Sequence, residues 1–170
     1  MSFKKTLLAI AALSFVGVAG AATATSSFNV KLTVNGTCAI KVAPIDIDLG
    51  TVLAGDAVTP ASTVINVNCS KGTAFTVGLT PSNSSTVGAG AMAGPAPSTP
   101  IAYQLHQTTA AGAVWGNVTG AGANVMSGVG LGMGVPQIVP FIAFASVAAG
   151  ATDAVTLGAY TDLVTVTVTY

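Results

Sequence analysis

The stretch SSFNVKLTVNGTC, Ser26–Cys38, alternates without a break. Phe28, Val30, Leu32 and Val34 fall on one side; Asn29, Lys31, Thr33 and Asn35 fall on the other. Successive side chains of a strand point to opposite faces, so this pattern predicts a strand with one apolar face that something must cover. A second run of the same kind, LVTVTVTY, occupies residues 163–170. Between the two, the spacing of an amphipathic helix is nearly absent, while Gly, Thr, Val, Ser and Asn dominate. The chain is thereby confined to all-β architectures. The open question is which sheet the first strand completes, its own or a neighbour's.

Residues 1–21 stand outside that question. MSFKK carries two lysines, TLLAIAALSFVGVAG is apolar, and Ala19-Gly20-Ala21 supplies small residues for cleavage, the layout of a secretory signal peptide. The apolar run of about 15 residues is shorter than the roughly 20 a spanning helix needs. Cleavage at Ala21-Ala22, or a residue or two later, leaves about 149 residues, the size of one domain. Export makes a disulfide the natural reading of the two cysteines, Cys38 and Cys69. Closing a loop of about 32 residues stabilises by roughly 3–4 kcal/mol on the chain-entropy model.

Past the expected cleavage site only Lys31, Lys41 and Lys71 are basic, against Asp46, Asp48, Asp56, Asp153 and Asp162. Three scattered lysines cannot neutralise a run of phosphates or hold an anionic membrane surface, which excludes nucleic acid as a partner. So little charge is unusual on a free monomer and suits a subunit in contact with copies of itself. An outer-membrane barrel needs at least about eight strands with aromatic girdles. Six Phe, three Tyr and one Trp in the whole chain do not supply them.

Strand-like runs recur with turn chemistry between them: CAIKVAPIDIDLGTV, STVINVNC, AFTVGLT, IAYQLHQ and QIVPFIAFASV, the last apolar enough for a central strand if Pro140 finds an edge or a bulge. DAVTLGAYTDLVTVTVTY reads as a short strand, a turn at Gly158 and a long strand. Pro81–Pro100 and Thr119–Gly134, rich in small residues, read as long loops. Many short strands without helices indicate one immunoglobulin-like β-sandwich.

Chemistry is sparse. His106 follows Leu105 on the polar side of IAYQLHQ, and no nucleophile elbow accompanies it. Asp46 and Asp48 share a strand face opposite Ile45, Ile47 and Leu49; two carboxylates fall short of the six to eight oxygens calcium takes. Two thiols and one distant imidazole do not complete a metal set. GVGLGMGV, Gly128–Val135, lacks the spacing and following helix of a phosphate loop. Trp115 reads as core or loop packing, and the sequons at Asn35, Asn68, Asn83 and Asn117 are expected by chance in so Asn- and Thr-rich a chain. No enzyme, cofactor or small-molecule substrate is expected.

An alternating strand running into a cysteine (FNVKLTVNGTC), DLGTV, a second cysteine after a strand (INVNCSKGTAFTVGL), a tyrosine strand (IAYQL) before Trp115, and the closing GAYTDLVTVTVTY together resemble the spore coat protein U domain, the family that includes major pilins of archaic chaperone–usher pili. The resemblance covers nearly all of the mature chain. It implies an incomplete immunoglobulin-like sandwich that lacks its last strand and is completed by a donor strand from a neighbouring subunit. A periplasmic chaperone fills the groove first, and an outer-membrane usher is the platform for assembly. On this reading residues 22–37 are the donor segment, with Phe28, Val30, Leu32 and Val34 inserting, and residues 38–170 are the pilin domain. Leu163, Val164, Val166, Val168 and Tyr170 form one wall of the groove. The chain is then a pilus subunit exported through the periplasm to the cell surface for attachment and biofilm formation. A tip adhesin would be expected to need a second domain. The alternative is a secreted monomeric coat or matrix protein whose first strand completes its own sandwich.

Overall fold

The computed structural model describes residue 20 and residues 22–170, so the expected signal peptide falls, but for Gly20, outside the described residues. The chain divides into two units, Met1–Thr33 and Val34–Tyr170. Among the described residues of the first there is no strand, and Phe28, Val30 and Leu32 are each nearly nine-tenths exposed.

The second unit holds eight strands: β1 (Cys38–Ala39), β2 (Ala61–Cys69), β3 (Ala74–Pro81), β4 (Ala89–Met92), β5 (Ile101–Gln107), β6 (Met126–Val129), β7 (Val139–Val147) and β8 (Val164–Thr169). They form a five-stranded sheet in the order β1-β2-β7-β5-β4 and a three-stranded sheet in the order β6-β3-β8. Every strand pair is antiparallel. Among the described residues there is no helix, as the sequence led one to expect of an all-β sandwich.

The period-two pattern decides which residues face inward. Ile65 and Val67 from β2, Phe75, Val77 and Leu79 from β3, Tyr103 and Leu105 from β5, and Phe141, Ala143 and Ala145 from β7 meet in one buried cluster. Each large apolar side chain removed from water contributes roughly 1.5–3 kcal/mol. Trp115, fully buried, completes the cluster from a connecting segment, and its indole N–H donates to the Val77 carbonyl at 2.9 Å. Buried indoles need such a partner. Pro140 sits opposite Asn66 of β2, while the ladder to β5 begins only at Ala143, so the proline occupies a stretch of β7 with one neighbour.

Four sequence expectations are corrected. In CAIKVAPIDIDLGTV only Cys38–Ala39 is strand. The alternation beyond is kept in part, with Ile47 and Leu49 half-buried and Ile45 exposed, but the stretch has no partner strand to pair with. Pro81–Pro100 contains β4, and Thr119–Gly134 contains β6. The short strand before Gly158 does not form; residues 151–154 are turn.

Candidate functional site

The two edges of the sandwich are treated differently. Segment 113–117 crosses between the sheets and seals one of them. Trp115 N–H donates to the Leu105 carbonyl beside β5, and Leu79 N–H of β3 donates to the Gly116 carbonyl, both at 2.9 Å. The edge between β8 and residues 44–50 has no such cover. β8 is the outermost strand of its sheet, paired to β3 on one side only. Residues 44–52 make no backbone–backbone hydrogen bond among the described residues. They are held by Thr63, whose hydroxyl donates to the Ile45 carbonyl at 2.6 Å, and by Ile47 and Leu49 packing on the core.

Between these rims lies a cavity of about 690 Å³. Its floor is core: Ile65, Leu79, Tyr103, Leu105, Ala143 and Ala145. Ile45, Ile47 and Leu49 line one wall, and Leu163, Val164 and Val166 the other. A water molecule takes about 30 Å³ and interiors hold few larger voids. This is an open groove, not a packing fault. A second cavity of about 540 Å³ shares Asp48, Leu49, Gly50, Met92 and Tyr160 with the first and continues it past the start of β8.

The approach to β8, Gly158-Ala159-Tyr160-Thr161-Asp162, sets where its wall stands. Thr161 exchanges two backbone hydrogen bonds with Ala93, both 2.9 Å. Tyr160 donates its hydroxyl to the Thr156 carbonyl and covers Gly94, where a Cβ would fall 2.3 Å from its ring. Gly158 holds φ of 151° against Pro95, whose Cγ would lie 2.4 Å from an added Cβ. Asp162 accepts from the Tyr103 hydroxyl at 2.6 Å and from Leu163 N–H at 2.9 Å.

Burial first, then the hydrogen bond to Asp162 and its charge, pushes the Tyr103 phenol far above the usual tyrosine range. Burial alone would raise the Asp162 carboxyl, but hydrogen bonds from Ser82, Tyr103 and the Leu163 backbone outweigh it and hold the group below its free value of 3.8. A depressed carboxylate stabilises the fold above its unfolded pKa, and the contribution is lost as pH falls through the folded value. Tyr103→Phe is therefore expected to cost about 1.5–3 kcal/mol near neutral pH, the range for hydrogen bonds to charged groups. In urea melts that gap should narrow as the medium is taken below the free-carboxylate range. A gap unchanged with pH would show that Asp162 does not carry the effect.

The structure places the remaining candidates plainly. Val168 packs on the core beyond the cavity lining, and Tyr170 is 62 % exposed outside it. Phe28, Val30, Leu32 and Val34 are all at least 80 % exposed. Cys38 and Cys69 stand opposite one another across β1 and β2 and are joined by a disulfide. His106 is held between the Gly112 carbonyl and the Ser146 hydroxyl at 2.9 and 3.0 Å, a strand residue in a structural bond. Asp46 is exposed, and Asp48 accepts from Gly50 N–H. Asn68 is buried, its amide donating to the carbonyls of Gly134 and Gln137, and Asn83 and Asn117 are likewise engaged within the fold. Among the described residues no three His, Cys, Asp or Glu side chains form a metal-binding group. Sequence reasoning missed the second wall, residues 44–50, and the Tyr103–Asp162 bond. The wall's signal was there in the alternation of IDIDL; the bond joins residues 59 apart in the chain and had none.

Residues 24–167 match the Spore Coat Protein U domain. The chain belongs to that family. The match takes in the exposed alternating segment and the first four of the six residues of β8. Among solved structures, the CsuC–CsuE chaperone–tip adhesion subunit pre-assembly complex from archaic chaperone-usher Csu pili of Acinetobacter baumannii contains a similar chain, at 22% identity and a TM-score of 0.49. The likeness covers 81% of this Spore Coat Protein U domain chain and 40% of that one. Comparison with curated proteins finds no match.

Proposed function

We propose that this chain is a structural subunit of a surface pilus that polymerises by donating residues 22–37 to the groove of a neighbouring copy. The observation that carries this reading is one pairing of features in a single chain. A groove floored by core residues has a backbone edge left unpaired on each rim, and an apolar alternating segment forms no strand of its own. Burying Phe28, Val30, Leu32 and Val34 contributes roughly 6–12 kcal/mol before ordering costs. Backbone pairing along both rims adds to this and fixes the register. The lengths agree: Phe28 to Val34 spans six residues at spacing two, as do the half-buried positions Asp162, Val164, Val166 and Val168.

Topology favours one direction. Insertion antiparallel to β8, and so parallel to the 44–50 rim, brings the Val34 end of the donor to the start of β8. The donor's own body, rooted at Cys38, then lies beyond that end of the acceptor. Parallel insertion would bring two Cys38 ends together, and each interior copy would have to offer that one end to two neighbours. The antiparallel contact is head-to-tail and does not close, so it propagates a filament. In the family's scheme a periplasmic chaperone occupies the groove before assembly and an outer-membrane usher organises it. The product stands on the cell surface, where it serves attachment and biofilm formation.

Surface extracts run on a denaturing gel with and without boiling test this, beside a variant lacking residues 26–35. A ladder of multimers that collapses on boiling and is missing from the deletion is expected. A monomer in both lanes, the deletion merely less stable, would mean that the segment completes its own sandwich and that the chain is a secreted coat protein.

A further inference from the structure

The charges of the sandwich are sorted by pole. At one pole β2 ends at Cys69, β3 begins at Ala74 and β7 begins at Val139; at the other, β2 begins at Ala61, β3 ends at Pro81 and β7 ends at Val147. Lys71 lies in the short link between β2 and β3, and the Lys41 ammonium donates to the Met133 carbonyl in the loop leading to β7. Both belong to the disulfide pole. Asp56 precedes β2 and accepts, through its carbonyl, the Thr152 hydroxyl from the turn after β7; Asp153 is next in that turn. Asp48 is on the rim shared by the two cavities, Asp46 is beside Ile45 at the start of β2, and Asp162 is at the entry to β8. All five aspartates thus occupy the far half. Exposed apolar side chains accompany the charge at both ends: Leu131 and Val135 at the disulfide pole, Leu53 and Leu157 at the far pole.

We propose that the far pole of one copy and the disulfide pole of the next form a direct body-to-body contact, with Lys41 and Lys71 facing Asp56 and Asp153. The direction of stacking rests on the antiparallel strand exchange argued above; the sorting of charge is a separate observation. The partner is a second copy because one chain carries both complementary faces, which generates an open array. In a chain with so few charges, opposite poles dominate the long-range field, so they orient an approaching subunit before its strand engages and set the angle between bodies afterwards.

Zero-length carbodiimide coupling of amines to carboxylates in assembled filaments tests the contact. Boiling-resistant dimers are expected, and peptide mapping of the dimer band should join Lys41 or Lys71 to Asp56 or Asp153. Lys41→Gln with Lys71→Gln should lose those dimers while the unboiled ladder persists. A ladder without cross-links, or with links through Lys31 of the donor segment alone, overturns the pole contact and leaves strand exchange standing. If no ladder forms at all, strand exchange falls and the contact falls with it.

Discussion

Two damaged subunits, mixed, are expected to give dimers and nothing longer. The first carries Leu32→Asp. Leu32 is 87 % exposed in the free chain, so the substitution leaves the sandwich unharmed. Insertion, however, would bury a carboxylate against the apolar floor of the groove. An unpaired charge in such a place costs several kcal/mol, and the leucine's own contribution is lost as well. Against a total of about 6–12 kcal/mol for the donor face, that removes most of the grip. The second subunit carries Val166→Asp, which puts the charge in the groove wall instead. Each variant alone should yield monomer on an unboiled gel. Together, the intact groove of the first accepts the intact strand of the second, and growth stops there. Val166 is half-buried in its own chain, so a thermal melt must first show that variant folded. A ladder from either variant alone, or no dimer from two folded variants, would sink donor-strand exchange through these residues.

The fold was legible wherever a strand's own side chains decide its place. β2, β3, β5 and β8 carry large apolar residues at spacing two, β7 is apolar over most of its length, and each was read near its observed position. β4 and β6 were read as loops because the residues that make them fit are the ones that hide them. Gly90 of β4 lies under the ring of Tyr103, 2.1 Å from where a Cβ would stand, and Gly128 of β6 lies against Phe75 at 2.6 Å. Glycine supplies the space for a neighbour's aromatic ring, and local composition then resembles a turn. The run IDIDL failed in the opposite sense. Its alternation is that of a strand, but a strand needs a ladder, and in a single chain the neighbouring position is empty groove. Half of the site was visible as β8. The other half was signalled by the alternation of IDIDL, but that it is a groove wall and not a paired strand depends on what lies across from it, which pattern alone does not encode.

Removing the disulfide is expected to cost assembly more than it costs folding. Cys38→Ala with Cys69→Ala should lower stability by roughly 3–4 kcal/mol, the chain-entropy value for a loop of this length. That corresponds to a melting shift on the order of 10 °C. The groove suffers in addition. Residues 40–60 are bounded by a two-residue strand on one side and by Ala61 on the other. Their ties to the rest of the sandwich are few: Lys41 to the Met133 carbonyl, Thr63 to Ile45, Thr152 to Asp56, and the packing of Ile40, Ile47 and Leu49. The disulfide is the covalent root of that wall. In a filament under tension the load enters at Thr37 from the donated strand. It passes through the sulfur bridge into β2, which is held between β1 and β7. Without the bridge the same load rests on the two-residue β1–β2 pairing and the Thr37–Ser70 hydrogen bonds, and past them on residues 40–60, the wall that on the proposed function grips the next subunit. Filaments of the double variant, held well below its melting temperature, should rupture at clearly lower force than wild type in single-filament pulling. Equal rupture forces would show that the wall is held by its packing and that the bridge serves folding only.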